Sequence, residues 1–151
     1  MEKLDIYSKG EYPADALSNF YAHAFCFDGV ACGSMEGFLQ SLKYKDPQKQ
    51  REICACAGKE AKAYGEGRIW WKLAGRVWWQ GKPYRRTSKA FTALLMRAYE
   101  ALFAQNADFR AALAASIGKE LCHSIGGRCK RRTILTEKEF VWCLDTLREK
   151  I

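Results

Sequence analysis

Capped helix starts at Ser34, Asp46, Asn106 or Asp108, and Thr136 punctuate this chain, and the strand signals between them are short. Ser34 precedes Met35, Phe38, Leu39 and Leu42, which are apolar at helical spacing. Asp46-Pro47 sets an N-cap before a proline at the first helical position, and that helix runs toward Cys56. Gly58 to Tyr64 reads as a shorter helix ended by Gly65. The longest spans Ser88 to Gln105, with Phe91, Leu94, Leu95, Ala98 and Leu102 on one face. An alanine-rich successor reaches about Ser116. Thr136-Glu137-Lys138-Glu139 is a capping box, with Leu135 and Phe140 placed as a hydrophobic staple for the last helix.

Strand signals are few. Residues 24 to 32 alternate around Asp28-Gly29, the pattern of a two-residue hairpin. Residues 66 to 87 hold Trp70, Trp71, Trp78 and Trp79, and Gln80-Gly81-Lys82-Pro83 reads as a turn, so a loop and a short hairpin are expected there. The predicted fold is therefore α+β and mainly α: one domain over residues 1–151, with six or seven helices and a few short antiparallel strands. A chain of 151 residues with 48% apolar content is large enough to bury one substantial core.

Composition narrows the setting. No apolar run approaches the roughly 20 residues that cross a bilayer, and Met1-Glu2-Lys3-Leu4-Asp5 lacks the apolar stretch of a leader. Seven cysteines, an odd number at irregular spacing, argue for reduced thiols and a cytoplasmic location. Cys54 and Cys56, or Cys122-His123 with Cys129, lack the paired spacing of a zinc site, so no metal is expected. Neither G-x-G-x-x-G nor a Walker-type Gly-Lys-Ser segment occurs, which disfavours the common dinucleotide and nucleotide-triphosphate folds and leaves no cofactor predicted. The net charge of +8 includes two clusters, Lys82, Arg85, Arg86 and Lys89, then Arg128, Lys130, Arg131 and Arg132. These suit phosphate or nucleic acid, with a solvated basic surface as the plainer alternative.

Chemistry concentrates between residues 17 and 43. Leu17-Ser18-Asn19-Phe20-Tyr21 precedes the hairpin, and the helix opening at Ser34 carries Glu36, Gln40 and Lys43. At helical spacing a carboxylate, an amide and an amine then share one wall over two turns. This stripe after an Asn-Phe loop resembles the NADAR (YbiA-like) family, associated with NAD and ADP-ribose metabolism. Asp28-Gly29 between Phe25-Cys26-Phe27 and Val30-Ala31-Cys32, and the segment Ala61-Lys62-Ala63-Tyr64-Gly65, extend the resemblance through about residue 105. Beyond it the sequence departs. Where the family carries an Asp and then Trp-Gly-Ile-Gly, this chain has Leu121-Cys122-His123 and Ser124-Ile125-Gly126-Gly127-Arg128, with no Asp between Asp108 and Asp145.

The resemblance implies an N-glycosidase that hydrolyses a ribose C1 to nitrogen bond. The implied substrates are phosphorylated intermediates of the riboflavin pathway, or ADP-ribose attached to guanine in DNA or a nucleotide, the second being reversal of DNA ADP-ribosylation. Lys43 is the candidate amine for a Schiff base at that carbon, which requires a pKa below its usual value near 10.4. Glu36 is the candidate proton carrier between water or a sugar hydroxyl and the leaving nitrogen. Asn19 and Gln40 are assigned to ribose hydroxyls, Phe20 and one of Trp78 or Trp79 to stacking on a base, and Arg85, Arg86, Arg128 and Arg131 to phosphate or nucleic acid.

Each assignment has a plainer rival. The polar stripe suits an exposed helix face, Asn19 a turn, the tryptophans the core, and His23 and His123 structural positions. The alternative function is a non-catalytic module that binds ADP-ribose or nucleic acid. A closed cavity shared by Glu36 and Lys43 favours catalysis, and an open groove favours binding.

Overall fold

Every side-chain cap expected from the sequence is made in the computed structural model, which describes residues 1–151. Ser34 Oγ accepts from the Gly37 N–H at 3.0 Å and starts α2, Met35–Ser41. Asp46 caps α3, Pro47–Cys54, and the next helix, α4, spans Gly58–Gly65. Ser88 caps the 17-residue α6, Lys89–Gln105, and Asn106 caps α7, Ala107–Ala115. The capping box at Thr136 is complete at the head of α8, Glu137–Arg148. Each cap satisfies a donor that the helix itself leaves unpaired, worth about 1 kcal/mol.

Two hairpins alternate with these helices. Asp28 (φ 48°) and Gly29 (φ 79°) join β2, Phe25–Phe27, to β3, Val30–Cys32. Gln80 (φ 50°) and Gly81 (φ 84°) join β4, Arg76–Trp79, to β5, Lys82–Arg85. A left-handed backbone at both central positions matches the twist of the flanking strands. Two short helices not evident from periodicity, α1 (Ala14–Leu17) and α5 (Trp70–Ala74), complete a set of eight. At four and five residues they are too short to display a helical stripe.

The third strand pair is parallel. β1, Lys3–Asp5, lies beside β6, Glu120–Cys122, and joins opposite ends of the chain. A non-local pair of this kind leaves no hairpin signal in the sequence, which led only to antiparallel strands. It also clamps the segment just after β6: His123 Nδ1 lies 2.7 Å from Ile6 O, and the Ser124 N–H donates to Asp5 Oδ1 at 2.8 Å.

One apolar core of 31 residues joins these elements apart from α4, which packs on α2. The long α6 packs against α7, α8, β2 and β5, while α2 lies in the angle between α3 and α4. Gly37 allows that approach. A Cβ there would come within 2.7 Å of the carbonyl oxygens of Ile53, Cys54 and Cys56.

The core also encloses one ion pair. Arg86, 1% exposed, donates from Nη1 and Nη2 to Glu139 at 3.0 and 2.6 Å, and from Nε to Thr133 O at 3.0 Å. This corrects its assignment to phosphate or nucleic acid, because its charge is already matched and out of reach. Burial pushes the Glu139 carboxyl up, but Arg86 and the Thr136 donors outweigh burial and hold it below the usual glutamate value. A depressed folded pKa contributes stability that is present above the usual value of about 4.3 and is lost as pH falls through the lower folded value. Arg86→Met should leave the buried Glu139 with its Thr136 donors but no counter-charge and cost about 3–5 kcal/mol, read as a large fall in melting temperature at neutral pH. Adding Glu139→Gln, which removes the charge but keeps an acceptor for the Thr136 donors, should recover most of that loss.

Candidate functional site

The polar stripe becomes a cavity wall through three hydrogen bonds, two of them between backbone groups. Glu36 sits in the first turn of α2, and its N–H donates to Asn19 O at 3.0 Å, tying the Asn-Phe loop to the helix start. One turn later Gln40 Nε2 donates to Glu36 Oε1 at 2.8 Å. The helix stops at Ser41, short of the expected length, but a tight turn with the Lys43 N–H donating to Gln40 O at 3.2 Å keeps Lys43 on the same side. Asn19, Phe20, Glu36, Gln40 and Lys43 all line one cavity of about 330 Å³. Its opposite wall comes from His123, Ile125, Gly126 and Gly127 and from the approach to α8.

Electrostatics inside the cavity are asymmetric. Glu36 is its only acidic lining residue, facing Lys43, Lys62, Arg68, Lys72 and Arg132. Burial raises the Glu36 pKa above the usual glutamate range, although the Gln40 donor and the charges of Lys43 and Lys62 oppose it. Burial lowers the Lys43 pKa, Lys72 lowers it further, and Glu36 opposes the change. Both groups are therefore displaced toward their neutral forms. A carboxyl able to donate and an amine able to attack are the pairing that proton-assisted nucleophilic chemistry requires.

Gly65, the last residue of α4, gives physical content to the small helix-ending segment. A Cβ there would overlap Gln40 Oε1 and lie 2.9 Å from Lys43 Nζ. The two side chains occupy the space that glycine leaves. Gln40 Oε1 is buried and accepts no hydrogen bond, so it is an unused acceptor for a ligand hydroxyl. Gly65→Ala should cut activity on the order of a hundredfold by displacing both groups. Alanine is favoured over glycine in a helix by about 1 kcal/mol, so the melting temperature should hold while turnover falls.

Two contributors escaped the sequence reading. Tyr99, buried in α6, donates from its hydroxyl to Asn19 Oδ1 at 2.8 Å. This leaves the Asn19 amide N–H₂ available to the cavity. Burial holds the Tyr99 pKa far above normal, so the donor persists at all working pH. Its position in an apolar helical stripe marks it only as core. His123, assigned a structural place, is held by Ile6 and packs edge-on to Phe140 at 5.4 Å while lining the cavity. The signal for it was positional, since it stands where the resemblance expects the late Asp. Gly126 makes room beside it: a Cβ there would meet His123 Cδ2 at 2.7 Å.

Other expected contacts lie elsewhere. Trp79, 3% exposed, stacks on Phe27 at 5.7 Å and donates from Nε1 to Asp28 Oδ2 at 2.9 Å, so it belongs to the core and cannot stack on a base. Trp78 is half-buried under Lys45 Nζ, 5.1 Å from its ring, in a neighbouring concavity that it shares with Trp70. Neither tryptophan lines the cavity that holds Glu36, because alternation along β4 turns Trp79 inward and Trp78 toward α3. Arg128 is exposed outside that cavity, and Arg85 and Arg131 line an adjoining depression. From the second basic cluster it is Arg132 that reaches the cavity. Tyr21, next to Phe20, is exposed and stacked on the buried His23 at 4.4 Å.

Comparison with known proteins places this architecture. Residues 11–149 match the family described as bacteriophage protein GP30.3. An uncharacterized 17.1 kDa protein from the Gp30–rIII intergenic region of enterobacteria phage T4 is 41% identical over 152 residues, covering all of both chains. Among solved structures, the NMR structure of the E. coli protein YbiA aligns with a TM-score of 0.63 at 20% identity, covering 99% of this chain and 84% of that one. No helix is long and apolar enough to cross a membrane.

Proposed function

The chain belongs to the bacteriophage GP30.3 family and has the fold of YbiA, and from that premise we propose that it is an N-glycosidase acting on a ribose C1 to nitrogen bond. The substrate is a ribosyl or ADP-ribosyl compound that carries phosphate. The observation that carries this reading is that Glu36 and Lys43 line one cavity whose other charged side chains are basic, each of the two displaced toward its neutral form. An exposed helix face would have left both fully charged.

The chemistry rests on those two groups. The glycosidic nitrogen expels the ring oxygen, which takes the Glu36 proton, and the neutral Lys43 amine adds to C1. The proton then carried on the lysine nitrogen passes through the Glu36 carboxylate to the leaving nitrogen, and the C1 to nitrogen bond breaks. A protonated Schiff base remains on Lys43. Water adds to it as Glu36 takes a proton, and collapse releases the sugar aldehyde with both residues in their starting forms. Asn19 Nδ2 and Gln40 Oε1 hold hydroxyls, while Phe20 offers a face to the base.

The productive form, protonated Glu36 with neutral Lys43, binds as many protons as the ionised pair. Each unit by which the gap between the two pKa values narrows raises its share about tenfold. The pH profile of kcat should therefore be a bell whose limbs lie closer together than the usual values of about 4.3 and 10.4. Limbs at those ordinary values would count against a buried pair.

Incubating the protein with guanine-ADP-ribosylated DNA, and separately with a ribosylamino-pyrimidine phosphate, tests the assignment by release of the free base. Tight binding of both with release from neither would favour a non-catalytic binding module.

A further inference from the structure

Beside the catalytic cavity, the β4–β5 hairpin holds an arrangement that folding alone disfavours. Arg76 and Arg85 stand directly opposite one another in the strand register. Like charges in that position repel, and neither arginine has an acidic partner. Lys72 from α5 and Arg131 from the segment before α8 join them around a depression of about 400 Å³ whose lining contains no carboxylate. Arg86 contributes nothing to this excess, because Glu139 neutralises it.

A second observation falls on the same wall. Trp71, 1% exposed, lines the depression, and its Nε1 donor has no partner. A buried N–H without an acceptor is costly to keep. The Trp71 ring also connects the depression to the catalytic amine: Lys43 Nζ lies 5.7 Å and Lys72 Nζ 5.8 Å from its centroid. Lys72 lines both spaces.

We propose that this depression is a phosphate-binding subsite, taking a phosphate group of the molecule whose ribosyl portion enters the catalytic cavity. Four unpaired cations line a space open to an anion, and the guanidinium forks of the three arginines among them are suited to phosphate oxygens. The identity of the neighbouring ribosyl group rests on the function proposed above, whereas the anion site stands on the hairpin geometry. Two sources offer that phosphate: a terminal or pyrophosphate group of a small substrate, and the phosphodiester backbone of a strand.

The test is calorimetric titration of the whole protein with inorganic pyrophosphate and, in parallel, with a short single-stranded oligonucleotide, each at several salt concentrations. Arg76→Gln/Arg85→Gln should weaken binding on the order of tenfold or more. The same variant should melt at a higher temperature, because the cross-strand repulsion is gone. Weakened pyrophosphate binding identifies a compact phosphate as sufficient. Weakening confined to the oligonucleotide, with a salt slope reduced by roughly 0.7 per lost contact, identifies the strand backbone as the source. Unchanged binding of both probes overturns the proposal, as does weakened binding with a lower melting temperature, which would make the arginines supports of the hairpin. No turnover is read, so a failed glycosidase assay leaves this result standing.

Discussion

Lys43→Arg is expected to abolish turnover and, with it, any adduct trapped by borohydride. In the native protein, reduction during turnover should fix the sugar to Lys43 as a stable secondary amine, which a peptide map locates. Arginine keeps the positive charge and much of the length, but its guanidinium stays protonated and offers no nucleophilic nitrogen. The fold should be unaffected: Lys43 stands in a turn after α2, makes no salt bridge, and is attached through its backbone N–H to Gln40 O. Retained melting temperature with lost trapping would isolate the chemistry. Near-normal turnover in Lys43→Arg would remove the Schiff base and leave water, activated by Glu36, as the nucleophile.

Glu36→Gln should lower kcat by about a hundredfold or more with little change in KM. The amide preserves the volume against Gln40 but neither gives nor takes the proton. The stability outcome carries separate information. Burial already disfavours the Glu36 charge, so a neutral replacement should leave the melting temperature unchanged or higher at neutral pH, where a purely structural carboxylate would leave it lower. A raised folded pKa also fixes the sign: the cost of burying Glu36 appears as pH rises through the usual glutamate value near 4.3 and deprotonation begins to favour the unfolded chain. The difference in stability between native and variant protein should therefore grow from pH 4 to pH 7.

Local determinants were legible. Caps at Ser34, Asp46, Asn106 and Thr136 each act within a few residues, and each appears as expected. Asp28-Gly29 dictates its own hairpin because both φ angles are positive there. Glu36 and Gln40 share a wall for the same reason, since helical spacing alone brings them together. Asn19 and Phe20 arrived in the cavity with them on the strength of a family resemblance, and the YbiA fold agrees with that resemblance.

What periodicity cannot carry is which surface each side chain meets. Arg86 and Arg85 are neighbours in sequence, yet one is sealed against Glu139 and the other stands in an open depression. Trp78 and Trp79 were interchangeable as stacking candidates until the hairpin turned one into the core and the other toward Lys45. The parallel pairing of β1 with β6 is the extreme case. It brings Ile6 to His123 and thereby sets the far wall of the cavity. The sequence by itself determined the six longer helices, their side-chain caps and the wall that bears Glu36, Gln40 and Lys43, because those depend on interactions over one or two turns. Only the tertiary structure decided that a second wall faces them, partly buries both ionisable groups and shifts their pKa values, because desolvation depends on residues brought together from opposite ends of the chain.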